Sequence, residues 1–118
     1  MRMPLALCIA SMLSSVALAQ TTMSSELLKE TLVGNTIAGI DDGQAYFEYF
    51  RSDGSISGLA GSEKYSGRWR ISGDQICFLY PEESNDWNCT KASLQGNEII
   101  WPDKGGVASL IKGNPHGL

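Results

Sequence analysis

The sequence predicts an all-β domain: one small eight-stranded antiparallel barrel with a short N-terminal helix and a single disulfide. Beyond Gly34, short runs rich in β-branched and aromatic residues alternate with turn clusters such as Asp41-Asp42-Gly43 and Ser52-Asp53-Gly54. The turns are closely spaced and no second helical pattern follows, which favours a meander of hairpins. Closing such a meander into a barrel removes its exposed strand edges.

Length and charge limit the protein to one domain of modest size. The chain has 118 residues, a net charge of −4 at pH 7 and a single histidine. This length excludes a multidomain protein and a cofactor enzyme of Rossmann or barrel size. The acidic balance excludes a nucleic-acid binder that relies on a basic face.

Residues 1–19 have the pattern of a secretory signal peptide. Arg2 gives a positive start, residues 5–13 are apolar, and Ala17 and Ala19 form a small-x-small cleavage site. The apolar stretch is shorter than the roughly 20 residues of a membrane-spanning helix. We therefore expect a soluble protein, without a membrane span, in the periplasm or outside the cell.

The helix is predicted directly after the leader and ends just before Gly34. Ser24 or Ser25 can cap its first turn, Leu28 and Leu32 share one face, and a glycine suits the position after its last turn.

The predicted strands cover residues 35–40, 44–51, 55–60, 64–71, 75–80, 87–94, 98–101 and 107–111. Together with the helix they form one domain over residues 20–113, followed by a flexible tail at 114–118. Strands of about six residues are only ~20 Å long. We therefore expect bulky side chains to fill a short barrel rather than to leave a deep ligand cup.

Strand 64–71 shows the most regular alternation of apolar and polar residues. The residues on its predicted inward face are Tyr65, Gly67, Trp69 and Ile71. Lys64, Arg68 and Arg70 place three cations on the outward face of an acidic protein. These cations either discourage edge pairing or form a patch that contacts an anionic partner.

Cys77 and Cys89 are the cysteines that remain once the leader, with Cys8, is removed. Only one intramolecular pairing is then possible, in an oxidising compartment, so we predict a disulfide worth ~3 kcal/mol. If the two cysteines lie opposite each other, Leu79 and Trp87 flank them on the outer surface.

No pattern predicts catalysis, a metal site or a cofactor site. The histidine, His116, lies in the tail, so a Ser/His/Asp arrangement has no structured base. The acidic pairs at residues 41–42 and 82–83 are interpreted as solvated turn residues, because adjacent strand residues point to opposite faces. We expect a protein that is not an enzyme and uses no cofactor.

The aromatic run at residues 45–50 leaves two alternatives open. Phe47 and Tyr49 fall on one face of the strand, and Tyr46 and Phe50 fall on the other. A half-buried strand needs large apolar groups on one side only. Either the helix covers the second face, or that face is an exposed aromatic patch for a protein or glycan partner.

Two sets of candidate binding residues follow from these patterns. The candidates for a surface contact with a partner are Tyr46, Phe50, Lys64, Arg68, Arg70 and Trp87. The candidates that would line a ligand site inside the barrel are Tyr65, Trp69 and Phe78.

The segment from Tyr65 to Phe78, followed by Cys89, resembles a group of small exported bacterial proteins of unknown function. The matching positions within it are Gly67, Trp69, Ile71, Gly73, Asp74 and Cys77. The resemblance implies a lipocalin-like β-barrel and an exported protein.

Residues 69–77 are also similar to serralysin-type metalloprotease inhibitors, although in that family the disulfide partner precedes this segment. Residues 61–65 resemble a loop of periplasmic lysozyme inhibitors. We thus expect a non-enzymatic barrel that acts through surface contacts with an envelope or secreted partner. Hydrolase inhibition, through residues 20–25 or the 61–65 loop, is the most concrete mechanism. The alternative is a carrier of a small apolar ligand inside the barrel.

Overall fold

A computed structural model describes residues 19–102 and 105–118, so most of the predicted leader lies outside the described residues. The described strands form one antiparallel ten-stranded sheet, which curls into a half-barrel. The helix is α1 (Ser25–Leu32). The strands are β1 (Thr21–Thr22), β2 (Thr36–Asp41), β3 (Gln44–Phe50), β4 (Ser55–Ala60), β5 (Glu63–Ser72), β6 (Gln75–Leu79), β7 (Asn88–Thr90), β8 (Ser93–Gln95), β9 (Glu98–Trp101) and β10 (Gly106–Ile111).

The strand order explains why the sheet curls. Neighbours follow the order β1-β8-β9-β10-β2-β3-β4-β5-β6-β7. Strands β7 and β8 lie near opposite ends of this order, yet only Lys91 and Ala92 separate them in the chain. The Met23 N–H donates to the Ala92 carbonyl oxygen (2.9 Å), which ties the start of the chain to the same corner. So short a link requires the two ends of the sheet to approach each other.

The prediction of eight strands was wrong, because the described residues form ten. The predicted strand at 87–94 is divided into β7 and β8 at Lys91 and Ala92, where the chain crosses between the two ends of the sheet. The second extra strand is β1, whose two residues pair with Leu94 and Ser93. A strand this short has too few residues to show alternation. The antiparallel all-β class is confirmed, as is the short helix, which is the one α-helix among residues 19–102 and 105–118.

Helix α1 begins and ends close to the predicted residues. The Ser24 hydroxyl accepts a hydrogen bond from the Leu27 N–H (3.3 Å), as an N-cap does. Gly34 follows the helix with a φ of +78°, a conformation that favours glycine. Leu28 and Leu32 are buried on one face.

One end of the half-barrel, which we call the closed end, is covered by α1. The Ser25 N–H donates to Asp74 in the turn after β5 (3.2 Å), and the Gly34 N–H donates to the Phe50 carbonyl (2.8 Å). The buried core at this end includes Leu28, Leu32, Phe50, Ile56 and Ile76. The helix and the core therefore fill this half of the interior.

Phe50 belongs to this core, so its assignment to an exposed partner-binding patch was wrong. Its side chain is 0% exposed, and its ring centroid lies 6.3 Å from that of Trp69 and 6.2 Å from that of Phe78. The alternative in which the helix covers this face holds for Phe50.

The tail at residues 114–118, for which flexibility was predicted, contacts the sheet in the structure. Arg51 donates to the Leu118 carbonyl oxygen (2.7 Å). The His116 ring lies 4.0 Å from the Phe47 ring. These contacts cover part of the outer face of β3, which is why that strand carries large aromatic residues on both faces.

The predicted disulfide between Cys77 and Cys89 is present and joins directly opposed residues of β6 and β7. Cys77 is buried and Cys89 is exposed. Within the described residues, no helix is long and apolar enough to cross a membrane.

Candidate functional site

A cavity of about 580 Å³ occupies the end of the half-barrel opposite the helix, which we call the open end. Its mouth is formed by the turns after β2 and β4, the loop after β6 and the start of β10. The lining residues used below are Ile37, Asp41, Tyr46, Glu48, Ala60, Glu63, Lys64, Tyr65, Phe78, Tyr80, Glu82, Glu83 and Trp101. The expectation of a filled interior is therefore right for the closed end and wrong for the open end.

Three pairs of a glycine and a tyrosine explain how bulky residues leave this space. In two pairs both residues lie on adjacent strands, and in the third the tyrosine directly follows β6. The pairs are Gly39 with Tyr46, Gly58 with Tyr65, and Gly67 with Tyr80. In each pair the ring lies over the glycine. A Cβ atom at Gly39 would lie 2.6 Å from the Tyr46 hydroxyl oxygen, and one at Gly67 would lie 2.8 Å from the Tyr80 ring. The glycines let the rings lie flat against the wall, so the centre of the barrel stays open.

Glu48 lies among these tyrosines, on the inward face of β3. Its side chain is only 6% exposed. The Tyr65 hydroxyl donates to Glu48 Oε1 (2.8 Å), and the Tyr80 hydroxyl donates to the same oxygen (2.7 Å). Glu48 of β3, Tyr65 of β5 and Tyr80, which directly follows β6, thus form a fixed cluster, which we call the Glu48 cluster.

The second carboxyl oxygen, Oε2, accepts no hydrogen bond from the described residues. Both tyrosine hydroxyls donate to Oε1. No buried side-chain nitrogen or oxygen of the described residues lacks a hydrogen-bond partner, so Oε2 is not enclosed. Because Glu48 lines the cavity and Oε2 has no donor, this oxygen is left to accept a hydrogen bond from a ligand.

Burial dominates the electrostatics of the Glu48 cluster. It raises the pKa of the Glu48 carboxyl, and the nearby carboxylates of Asp41 and Glu83 raise it further, whereas the two tyrosine hydrogen bonds lower it. The pKa values of Tyr65 and Tyr80 are raised by burial and then by Glu48. Both hydroxyls therefore keep their protons at neutral pH and remain donors.

Tyr46 is a third tyrosine in the cavity wall. Burial, Glu48 and Asp41, in that order, raise the pKa of Tyr46 to about 12. This tyrosine was a candidate for partner contact on an exposed patch, but the structure places it in the cavity.

The described residues that line the cavity carry a net negative charge. Five carboxyl groups line it, those of Asp41, Glu48, Glu63, Glu82 and Glu83. Lys64 is the one described cation among the lining residues. No group of three or more His, Cys, Asp or Glu residues in the described chain is arranged to hold a metal ion.

The three residues predicted to line an internal ligand site divide between cavity and core. Tyr65 and Phe78 line the cavity. Trp69 does not: it packs against the core, and its indole N–H donates to the Arg51 carbonyl (2.9 Å).

Arg68 and Arg70 of β5 lie on the outer face, as the alternation predicts, whereas Lys64, near the start of the strand, also lines the cavity. Lys64, Arg68 and Arg70 are exposed. The Arg70 guanidinium lies over the Trp87 ring, 4.2 Å from its centroid, next to the disulfide.

Glu48 is the site residue that the sequence analysis missed. Its signal is positional: it lies two residues from both Tyr46 and Phe50, so all three share one face of β3. A glutamate that shares the inward face of a strand with aromatic residues two positions away indicates a buried carboxyl group.

The chain matches no protein-family model, no curated protein and no solved structure. The resemblance to exported bacterial barrels and metalloprotease inhibitors therefore stays a prediction.

The raised pKa of Glu48 predicts a stability that falls with rising pH. Between the ordinary and the raised pKa the folded state binds more protons than the unfolded state, so the free energy of unfolding decreases as pH increases. The decrease is about 1.4 kcal/mol for each unit by which the pKa is raised. Glu48→Gln retains an oxygen for the two tyrosines and removes this dependence.

Urea unfolding between pH 4 and pH 9 measures this effect. Glu98→Gln is the matched control, because Glu98 is exposed on β9 and does not line the cavity. We expect the control to follow the wild type and Glu48→Gln to give a flatter curve. Parallel curves for the wild type and Glu48→Gln would contradict the prediction.

Proposed function

We propose that this protein is an exported, non-enzymatic binding protein whose half-barrel cavity holds one small ligand. The observation that supports this most is the cavity of about 580 Å³ with the Glu48 carboxyl in its wall. Ligand sites in proteins commonly measure about 300–1,000 Å³ and combine apolar walls with a few placed polar groups. Phe78 and Trp101 supply apolar wall here, and the Glu48 cluster supplies the polar groups.

The cost of burying Glu48 supports a binding role. A carboxyl group removed from water destabilises the folded state unless partners compensate it. Two hydroxyls donate to one of its oxygens, Oε1, and neither donates to Oε2. A ligand that donates a hydrogen bond to Oε2 would give this second oxygen a partner and further offset the cost of burying the carboxyl group. The alternative hypothesis from the sequence was a carrier of a small apolar ligand. We now propose a ligand that is apolar except for one polar end.

The disulfide and the leader pattern support export. Disulfides persist in oxidising compartments such as the periplasm or the extracellular space. The Cys77–Cys89 bond and the signal-like residues 1–19 agree with such a location.

Filling the cavity tests the proposal. Ala60 is half-buried and lines the cavity, whereas Ala45 is exposed and does not line it. We expect Ala60→Phe to weaken the binding of Nile red, a neutral dye that fluoresces in apolar sites, by about tenfold or more. Ala45→Phe should bind it like the wild type. Saturable fluorescence titration measures both affinities, and equal weakening in the two variants would argue against cavity binding.

A contact between the outer face and a protein partner is the second candidate function. The stacked pair Arg70 and Trp87 favours it, since Arg and Trp are enriched where interfaces concentrate binding energy. Lys64 and Arg68 extend this face along β5. Hydrolase inhibition is one form that such a contact with a protein partner would take. Inhibition assays against secreted metalloproteases and lysozymes, at micromolar concentrations of this protein, test it. No inhibition across that panel would count against it.

A further inference from the structure

We infer that the polar end of the cavity ligand is an organic ammonium group, carried on an apolar or aromatic body. This inference rests on the proposed function and names the class of ligand for the same site. It depends on the charge lining the cavity, on the accessible oxygen of Glu48, and on the aromatic walls.

The charge lining the cavity selects for a cation. Four carboxyl groups at the mouth, those of Asp41, Glu63, Glu82 and Glu83, outnumber the single described amine of the lining, and Glu48 adds a carboxyl group in the wall. Carboxylates lining one cleft reinforce each other's field, so a cation is attracted and an anion is repelled. A carboxylate or phosphate ligand would approach Asp41, Glu82 and Glu83 before it reached the interior.

Glu48 supplies the directional contact. An ammonium group donates up to three hydrogen bonds and accepts none, which matches an acceptor oxygen without a donor. Oε2 is such an oxygen, since Tyr65 and Tyr80 both donate to Oε1. The two tyrosines also fix the orientation of the carboxyl group, so little side-chain entropy is lost when the ligand binds.

Compensation of charge favours an ammonium over a neutral polar group. Glu48 forms hydrogen bonds with two neutral hydroxyls, and the nearby carboxylates of Asp41 and Glu83 oppose its ionised form. A neutral alcohol could bond Oε2 but would leave the carboxylate charge uncompensated. An ammonium supplies both the hydrogen bond and the opposite charge.

Aromatic rings surround the same space and suit the rest of the ligand. Tyr65 and Tyr80 meet edge to face with centroids 6.1 Å apart, and Phe78 and Trp101 do so at 5.7 Å. Ring faces attract ammonium groups and the polarised methylene groups next to them. Apolar rings also accept an aromatic or aliphatic body without unpaired polar atoms.

Three probes with one indole body separate the charge from the shape of the ligand: tryptamine, tryptophol and indoleacetate. They carry an ammonium, a hydroxyl and a carboxylate group, respectively. We expect isothermal titration calorimetry of the wild type to show tryptamine binding at least about tenfold more tightly than tryptophol, a difference of about 1.4 kcal/mol. Indoleacetate should bind most weakly.

Two variants and one control connect the preference to named residues. Glu48→Gln should reduce the preference for tryptamine over tryptophol to within about threefold. Glu98→Gln makes the same change of charge on the outside of β9 and should leave the preference unchanged. Glu82 and Glu83 are exposed in the loop after β6, so a double Glu82→Gln/Glu83→Gln variant leaves the core intact. It should weaken tryptamine binding about two- to fivefold.

The outcomes separate this inference from the proposed function. Equal binding of tryptamine and tryptophol, both lost in Ala60→Phe, would overturn the ammonium inference and leave cavity binding standing. A preference for tryptamine that survives both Glu48→Gln and the double variant would also overturn it. If none of the three probes binds, the ammonium inference fails, and the Nile red titration decides the proposed function separately.

Discussion

Replacing Phe50 with alanine is expected to lower the free energy of unfolding by about 3–5 kcal/mol. The side chain is fully buried between Trp69, Phe78 and the residues of α1, so its removal leaves a cavity at the closed end. Phe47→Ala is the matched control on the same strand. Its ring is half-buried beneath His116, and we expect a loss of about 1–2 kcal/mol.

Urea unfolding measures both losses. Phe50→Leu removes less volume and serves as a milder variant if Phe50→Ala does not fold. Equal destabilisation by Phe50→Ala and Phe47→Ala would contradict the placement of Phe50 in the core.

Removal of the disulfide is expected to have the next largest effect. Cys77 and Cys89 are 12 residues apart, and closing a loop of this size stabilises the folded state by ~3 kcal/mol in the chain-entropy model. We expect the double variant Cys77→Ala/Cys89→Ser to lose about this amount. Alanine suits the buried position and serine the exposed one.

A reducing agent provides the control for this variant. Reduction should destabilise the wild type by a similar amount and leave the double variant unchanged. The prediction fails if the double variant unfolds at the same urea concentration as the oxidised wild type.

The sequence predicts most of the sheet because alternation is strong in its central strands. Strand β5 presents Tyr65, Gly67 and Trp69 inward, as period-two alternation requires. The cysteine pair and the helix cap are local patterns with one reasonable interpretation each, and both are present.

Residues of β3 show where such reasoning stops. Both faces of this strand are aromatic, so alternation alone does not tell which face is covered, or by what. The inward face is divided between the helix-covered core at Phe50 and the cavity at Tyr46. The outer face is covered by the tail, a contact between residues far apart in the chain.

The cavity and Glu48 depend on register between strands, which the sequence does not display. Gly58 and Tyr65 are ordinary strand residues until the pairing of β4 with β5 sets one over the other. The pairing of β3, β4 and β5 places the Tyr65 hydroxyl on Glu48 Oε1, and Tyr80, directly after β6, adds the second hydroxyl on that oxygen. Interior volume therefore follows from pairs of residues rather than from the size of each side chain.

The short strands at the two ends of the sheet affect whether copies of the protein aggregate in concentrated solution. Strand β1 has two residues and β7 has three, while the long strands β3 and β5 lie inside the order with neighbours on both sides. An unpaired strand edge is a template on which another chain can add a strand and start an aggregate. Here each edge offers only a few backbone groups, and the Lys91–Ala92 link holds the two edges close together. The fold thus limits intermolecular strand addition without charged residues or a proline at its edges.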